Sequence, residues 1–221
     1  MAPTYFRREP GIATPTAERL RTFTRMNQPS SIETRKAELR RDAVARRDAL
    51  PADLRAAAAA AIAARPLPVA VAPGAIVSGF SPLKTEINPI PLMRAFAAAG
   101  AQLALPVVAG KGKPLTMRAW NFGDPLESGV WGIREPKATA AEVFPDILIV
   151  PLLAFDRAGQ RIGYGAGYYD MTIGRLRTMK PVIAMGIAYA AQEVNEVPST
   201  PRDAALDLVL TEREAIDFRT V

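Results

Sequence analysis

The stretch richest in chemical potential runs from residue 145 to residue 170, PDILIVPLLAFDRAGQRIGYGAGYYD. An apolar, β-branched run leads into a segment carrying Gly159, Gly163, Gly165 and Gly167, after which helix-forming sequence begins. Glycines permit positive φ and close approach of peptide N–H groups to a ligand, and a helix start adds about half a positive charge. That combination suits phosphate. Arg161, beside the glycines, can pair bidentately with phosphate oxygens. The GxGxG core by itself matches neither the P-loop nor the dinucleotide fingerprint in spacing, so a turn with an aromatic packing cluster competes as a reading. Asp156 reads as a turn cap through its side chain. Successive side chains diverge by about 100° on a starting helix, so one of Tyr168 and Tyr169 can pack inward while the other borders the pocket. Asp170 is either a first-turn acid favoured by the helix dipole or a ligand for a metal shared with the phosphates.

What is missing narrows the chemistry further. The 221 residues contain no cysteine and no histidine. Disulfides, thiolate nucleophiles and thiolate metal sites are thereby excluded. So are Ser-His-Asp and Cys-His catalysis, imidazole zinc sites and an unshifted near-neutral acid/base. Carboxylates, Lys, Arg, Tyr, backbone amides and oxygen-bound metals remain. Phosphoryl transfer fits that set, because it consists mostly of positioning and charge neutralisation.

The elements that must position these groups follow from periodicity. Ser31 is a candidate N-cap for a helix over 31–50, with Leu39, Ala43 and Leu50 at helical spacing and a strongly basic opposite side. Pro51 interrupts it, and an alanine-rich helix over 52–64 ends at Pro66. From Pro73 onward the pattern becomes βα alternation: a strand over 75–80, a helix over 89–99 closed by Gly100, and a strand over 102–108. Residues 111–113 read as a turn into an alternating strand over 115–120, suited to an antiparallel edge. Residues 146–150 form a strand buried on both faces. A helix over 168–179 and strands over 182–189 and 207–211 complete the series. The expected fold class is therefore α/β, a mainly parallel sheet with helices on both faces in three layers, as a single domain. Ligands of such sheets bind beyond the carboxyl ends of the strands.

Residues 1–30 read as a disordered or loosely ordered extension and residues 31–221 as the α/β domain. The extension lacks the apolar core of a secretory signal; an Arg-rich organelle transit peptide and an upstream extension preceding a start at Met26 are alternatives. The net charge of +6 is concentrated early, with 11 Lys/Arg against 6 Asp/Glu in the first fifty residues. Acids are interleaved and Tyr5 is isolated, so a nucleic-acid arm is disfavoured. No apolar run approaches the roughly 20 residues needed to cross a bilayer.

At the glycine-rich segment the sequence resembles the 5-formyltetrahydrofolate cyclo-ligase family, also called methenyltetrahydrofolate synthetase. The family signature has the form AFD, two or three residues, then G-x-R-L-G-x-G-x-G-Y-Y-D, which stands here as Ala154-Phe155-Asp156 followed by Gly159 through Asp170. Other pieces follow in the family's order: Lys36 and Arg40, FSPLKTEINP over 80–89, Leu105-Pro106, GIREP over 132–136, and the segment 203–211. Ile162 replaces the usual leucine, Met171 stands where arginine is common, and Arg202 precedes Asp203 where histidine is frequent.

The resemblance, which covers about residues 31–211, implies an ATP-dependent reaction. ATP phosphorylates the formyl oxygen of 5-formyltetrahydrofolate, the second folate nitrogen closes onto the activated carbon, and phosphate leaves to give 5,10-methenyltetrahydrofolate. It implies that Arg161, Ile162, Gly163, Tyr164, Gly165, Ala166, Gly167, Tyr168 and Tyr169 bind the triphosphate, with Lys36 and Arg40 adding charge from one helix face. Arg161 and Lys36 are the expected catalytic cations. Asp170 and Asp203 are the implied Mg²⁺ ligands, partly through water. Glu86 matches the family's folate-binding glutamate, and Trp131 and Tyr168 are expected to contact the folate.

The implied cofactors are ATP and Mg²⁺ and the implied partner is a reduced folate. Neither nucleic acid nor membrane is expected, and the protein is expected to be a cytoplasmic monomer. Rival readings are a sugar-phosphate-type or acyl-CoA-type enzyme on a similar scaffold, a non-catalytic folate- or nucleotide-binding relative, and a basic RNA-associated protein.

Overall fold

The structure is a computed structural model that describes residues 31–219. The expectation for residues 1–30 lies outside the described residues. In chain order the elements are α1 (Ile32–Asp48), α2 (Ala52–Ala63), β1 (Ile76–Ser78), α3 (Ile90–Ala98), β2 (Gln102–Val107), β3 (Thr116–Ala119), β4 (Leu126–Ser128), β5 (Arg134–Pro136), β6 (Ile147–Val150), β7 (Ala154–Phe155), β8 (Arg161–Ile162), α4 (Tyr168–Met179), β9 (Ile183–Ile187), β10 (Leu208–Leu210) and β11 (Ala215–Asp217). Short 3₁₀ turns occupy Val130–Gly132 and Ala190–Gln192. Every helix and strand expected from periodicity is present, with ends shifted by a residue or two, as frayed termini allow.

The seven-stranded sheet has the order β11-β10-β9-β6-β1-β2-β3. Its five inner strands pair in parallel, and β3 and β11 join antiparallel at the edges. Residues of β6 alternate between two cores. Ile147 and Ile149 pack with Ile62 of α2 and Met93 and Phe96 of α3, whereas Leu148 and Val150 pack with Ile173 and Leu176 of α4. The sheet is thus covered on both faces, giving the three-layer α/β fold. All four β6 side chains are at most 3% exposed, and burying a side chain of that kind contributes about 1.5–3 kcal/mol. That burial is why this run is continuously apolar rather than alternating.

Successive connections leave β1 and β6 in opposite directions: β1 leads toward β2 on one side, and β6 leads toward β9 on the other. Such a switch point opens a crevice at the carboxyl ends of the two strands. The segments that line it are residues 79–89 after β1 and residues 151–167 after β6. Helix α1 lies across the second segment, with Ala43 buried against Leu153, Ala154 and Ile162.

Two hairpins and one edge strand were not legible from periodicity. β7 and β8 form a two-residue-per-strand hairpin inside what reads in sequence as loop. Its turn is built by Asp156, as expected: Oδ1 accepts from the Ala158 and Gln160 N–H groups at 2.9 and 3.0 Å, and Oδ2 from Val197 N–H at 2.8 Å. β4 and β5 pair around Trp131, and β11 pairs with β10. Strands of two or three residues are too short to show a period of two. Among the described residues no helix is long and apolar enough to cross a membrane.

Candidate functional site

The glycine loop follows β8 and ends in the first turn of α4. Gly165 and Gly167 have φ of +98° and +70°, a region costly for residues with a Cβ. Gly167 is the N-cap of α4 and offers no side-chain oxygen to the helix start. Among the described residues, none accepts a hydrogen bond from the peptide N–H groups between Tyr164 and Asp170. Unused amides at the positive end of a helix dipole make an anion-binding concavity.

Helix α1 brings cations to it. Lys36, Arg40 and Arg47 fall at i, i+4 and i+11, one stripe of the helix. Lys36 is 6% exposed, and its Nζ donates to both Asp203 oxygens at 2.8 and 2.6 Å. Arg40 Nε donates to Gly163 O at 3.0 Å, and a Cβ placed on Gly165 would come within 3.2 Å of Arg40 Cζ. The stripe of Lys36, Arg40 and Arg47 therefore faces the site, whereas Arg35, Arg41 and Arg46 are exposed. Composition alone reads that stripe as solvated.

Arg161 is buried and already engaged. Nη2 lies 2.8 Å from Asp170 Oδ1, and Nη1 donates to the Ala204 carbonyl. Ala204 N–H in turn donates to Asp170 Oδ1 at 3.1 Å. The structure thus brings together Arg161, Asp170 and the segment bearing Asp203, with the guanidinium acting as a pin between β8, α4 and that segment.

The two carboxylates differ in what they can still bind. Asp203 is saturated: besides Lys36, its Oδ2 accepts from Thr200 N and Thr200 Oγ1 at 2.6 and 2.8 Å. Burial pushes its carboxyl up, but the bonds from Lys36 and Thr200 outweigh that and hold it below the usual value. Asp170 keeps Oδ2 without a partner among the described residues, and the side chain is 27% exposed. One such oxygen beside a phosphate fits Mg²⁺, which retains most of its waters and takes one or two carboxylates. Asp203 fits that role only after Lys36 has moved. Among the described residues no three acidic side chains gather as a metal cluster.

Across the crevice, Glu86 is held after β1 with Oε2 accepting from Leu83 N–H at 2.7 Å. Burial raises its carboxyl above the ordinary value, against that hydrogen bond and the Arg47 charge. Tyr169 lies between the two halves electrostatically: burial pushes its phenol well up, Glu86 adds to the shift, and Arg161 opposes it. Trp131 sits at the β4–β5 tip with φ +58° and 65% exposure, its ring 6.0 Å from that of Tyr168. A cavity of about 280 Å³ runs between residues 80–83 and Gly132–Arg134. A larger cavity of about 510 Å³ opens at the opposite, amino end of the strands. Its carboxylates Asp146 and Asp207 are already paired with Lys180 and Arg177, and it lacks the unused amides, so the crevice remains the candidate site.

Sequence reasoning overlooked Arg47, Thr85 and Thr200. Arg47 is 1% exposed and donates to Thr85 Oγ1 and Tyr164 Oη at 3.0 and 2.7 Å. Its place on the Lys36–Arg40 stripe was the available signal.

Comparison with known proteins identifies the family. The sequence profile of the 5-formyltetrahydrofolate cyclo-ligase family matches residues 32–212. A 5-formyltetrahydrofolate cyclo-ligase of Mycolicibacterium smegmatis is 34% identical over 151 residues, covering 65% of this chain and 76% of the relative. That of Escherichia coli K12 is 33% identical over 143 residues, covering 61% and 76%. The NMR structure of Aquifex aeolicus 5,10-methenyltetrahydrofolate synthetase superposes with a TM-score of 0.68 at 28% identity, over 83% of this chain and 93% of that one. The Mycoplasma pneumoniae 5,10-methenyltetrahydrofolate synthetase shares the fold at 19% identity, with a TM-score of 0.61 over 80% and 98% of the two chains.

The doubly wound sheet with its crevice at the switch point is that of an α/β enzyme, and its relatives are ligases. The chain belongs to the 5-formyltetrahydrofolate cyclo-ligase family.

Proposed function

We propose that this protein catalyses the ATP-dependent cyclisation of 5-formyltetrahydrofolate to 5,10-methenyltetrahydrofolate, releasing ADP and phosphate. The observation that carries the reading is the run of unpartnered peptide N–H groups from Tyr164 to Asp170, set beneath Arg40 and across the crevice from the buried Glu86 carboxylate. One side is made for a polyanion and the other for a ligand rich in N–H donors.

In this reading the γ-phosphoryl group moves to the formyl oxygen as its bond to ADP breaks. The second folate nitrogen then attacks the formyl carbon and releases its proton to solvent, and the carbon–oxygen bond breaks as phosphate departs. No protein nucleophile is required, consistent with a chain lacking His and Cys. The amides of residues 164–169 hold the triphosphate, Lys36 and Arg40 neutralise charge that builds during transfer, and Arg161 keeps the loop in place from below. Asp170 Oδ2 would hold Mg²⁺ carried with the nucleotide, which would supply further charge neutralisation. Glu86 accepts from the pterin N–H groups, and Trp131 and Tyr168 border the ring system in the adjoining cavity.

The test is the coupled assay: purified protein with Mg²⁺, ATP and 5-formyltetrahydrofolate should release phosphate only when the folate is present and develop near-ultraviolet methenyl absorbance. Calorimetric binding of both ligands with no absorbance change would identify a non-catalytic relative and overturn the reading.

A further inference from the structure

The two lips of the crevice come from chain segments far apart, one ending near Glu86 and the other being the glycine loop. One side chain touches both. Arg47 Nε donates to Thr85 Oγ1 at 3.0 Å on the first lip, and Nη2 donates to Tyr164 Oη at 2.7 Å on the second. Its guanidinium also lies 5.7 Å from the Tyr164 ring centroid. The third nitrogen, Nη1, is buried without a hydrogen-bond partner and stands 4.0 Å from Glu86 Oε1. A fully buried guanidinium with an unmade bond is costly unless its position has another use.

The tie is specific to these side chains. Tyr164 is half-exposed at 50%, and its hydroxyl has Arg47 as its partner among the described residues. Thr85 is itself fixed, since its hydroxyl donates to Asp48 Oδ1 and its carbonyl accepts from Tyr189 Oη. The first lip is therefore braced, and Arg47 extends that bracing to a glycine-rich loop that has little packing of its own.

We infer that Arg47 is a positioning residue that sets the spacing of the two lips, acting on the nucleotide side through Tyr164 and on the folate side through Thr85 and the Glu86 charge. This rests on the cyclo-ligase reading above. Arg47 touches no reacting atom; it fixes where the loop amides stand relative to the folate carboxylate.

Two conservative substitutions test it by steady-state kinetics with each substrate varied in turn. Tyr164→Phe cuts the tie without changing volume and should raise the KM for ATP about tenfold while moving the KM for folate less than about twofold. Arg47→Lys keeps the charge but loses the fork, and should raise both KM values about tenfold with kcat falling less than about threefold. The double variant should match Arg47→Lys alone in its KM for ATP, because both changes break one contact. A purely structural role would lower the melting temperature of Arg47→Lys without this pattern. An unmoved KM for ATP in Tyr164→Phe, or effects that multiply in the double variant, would overturn the inference. Should the wild-type protein form no methenyl product, the cyclo-ligase reading fails by itself. The tie is then read from calorimetric ATP binding, where an affinity loss of about tenfold in Tyr164→Phe upholds it and an unchanged affinity sinks it.

Discussion

Arg161 Nη2 stands 2.8 Å from Asp170 Oδ1, so the residue just before the glycine loop is clamped to the first turn of the helix just after it. A loop closed at both ends by one buried pair can present its amides at fixed positions without packing of its own.

Arg161→Ala should therefore cost stability and activity together. The arginine side chain is 4% exposed and that of Asp170 27%. Removing one partner of a buried pair costs roughly 3–5 kcal/mol, which the exposure of Asp170 reduces to about 2–3 kcal/mol. Turnover should fall at least about tenfold as the amides lose their frame. Thermal denaturation alongside the methenyl assay checks both. Turnover within about twofold of wild type would mean that the loop does not depend on the Arg161–Asp170 clamp.

The loop glycines should not be equivalent. Gly165→Ala and Gly167→Ala both place a Cβ at positive φ, costing about 1–2 kcal/mol each. Only Gly165 also crowds Arg40, whose Cζ would lie 3.2 Å from the new atom, whereas Gly167 faces open space. Gly165→Ala should thus raise the KM for ATP more than Gly167→Ala at similar melting temperature. Equal KM values would mean that Arg40 does not serve the nucleotide.

Folate binding should carry the titration of Glu86. Burial raises this carboxyl above its ordinary value. A raised folded-state value means that its contribution to stability is complete below the unfolded value and fades as pH rises through the folded one. Folate affinity runs the other way, because accepting from N–H donors needs the carboxylate, so affinity should climb through that same pH range and then level. Calorimetry from about pH 4 to pH 8 would show the step in wild type, and Glu86→Gln should flatten it. A step that persists in the variant assigns it to the ligand.

The Lys36–Asp203 pair should appear in acid stability. Although burial opposes it, the lysine and Thr200 bonds hold the Asp203 carboxyl below its ordinary value. Such a contribution is present above the unfolded carboxyl value and disappears as pH falls through the depressed one. Lys36→Met should consequently lower the melting temperature at neutral pH and converge on wild type once the pH falls below the depressed carboxyl value. A gap that does not change with pH would mean that lost packing, not charge, is responsible.

Trp131→Ala separates binding from folding. With 65% exposure, its loss should change stability by less than about 0.5 kcal/mol. Removing a stacking partner worth about 0.5–1.5 kcal/mol should raise the KM for folate about three- to tenfold. An unaltered KM would show that the β4–β5 tip does not reach the substrate.

Most of the fold was readable because it rests on long periodic stretches: the buried run over 146–150, the alanine-rich helix, and helices bounded by Pro and Gly. The positive-φ turns at Gly165 and Gly167 were readable because unusual backbone geometry needs an unusual residue. Arg47 was marked only by its place on the Lys36–Arg40 stripe, since an arginine on a helix looks the same in sequence whether its guanidinium reaches solvent or a tyrosine from the glycine loop. Asp203 was placed at the site by resemblance, but sequence gave no sign that Lys36 and Thr200 already fill its oxygens. The β4–β5 hairpin was hidden by its length, and with it the left-handed backbone of Trp131.

Helix α1 contacts the glycine loop and the Asp203 segment across 123 and 167 residues of chain, respectively. Arg47 meets Thr85 only 38 residues on, whereas the partners of Lys36 and Arg40 are made when most of the domain already exists. A nascent chain that stops before Gly163 therefore holds Lys36 and Arg40 without the groups they grip.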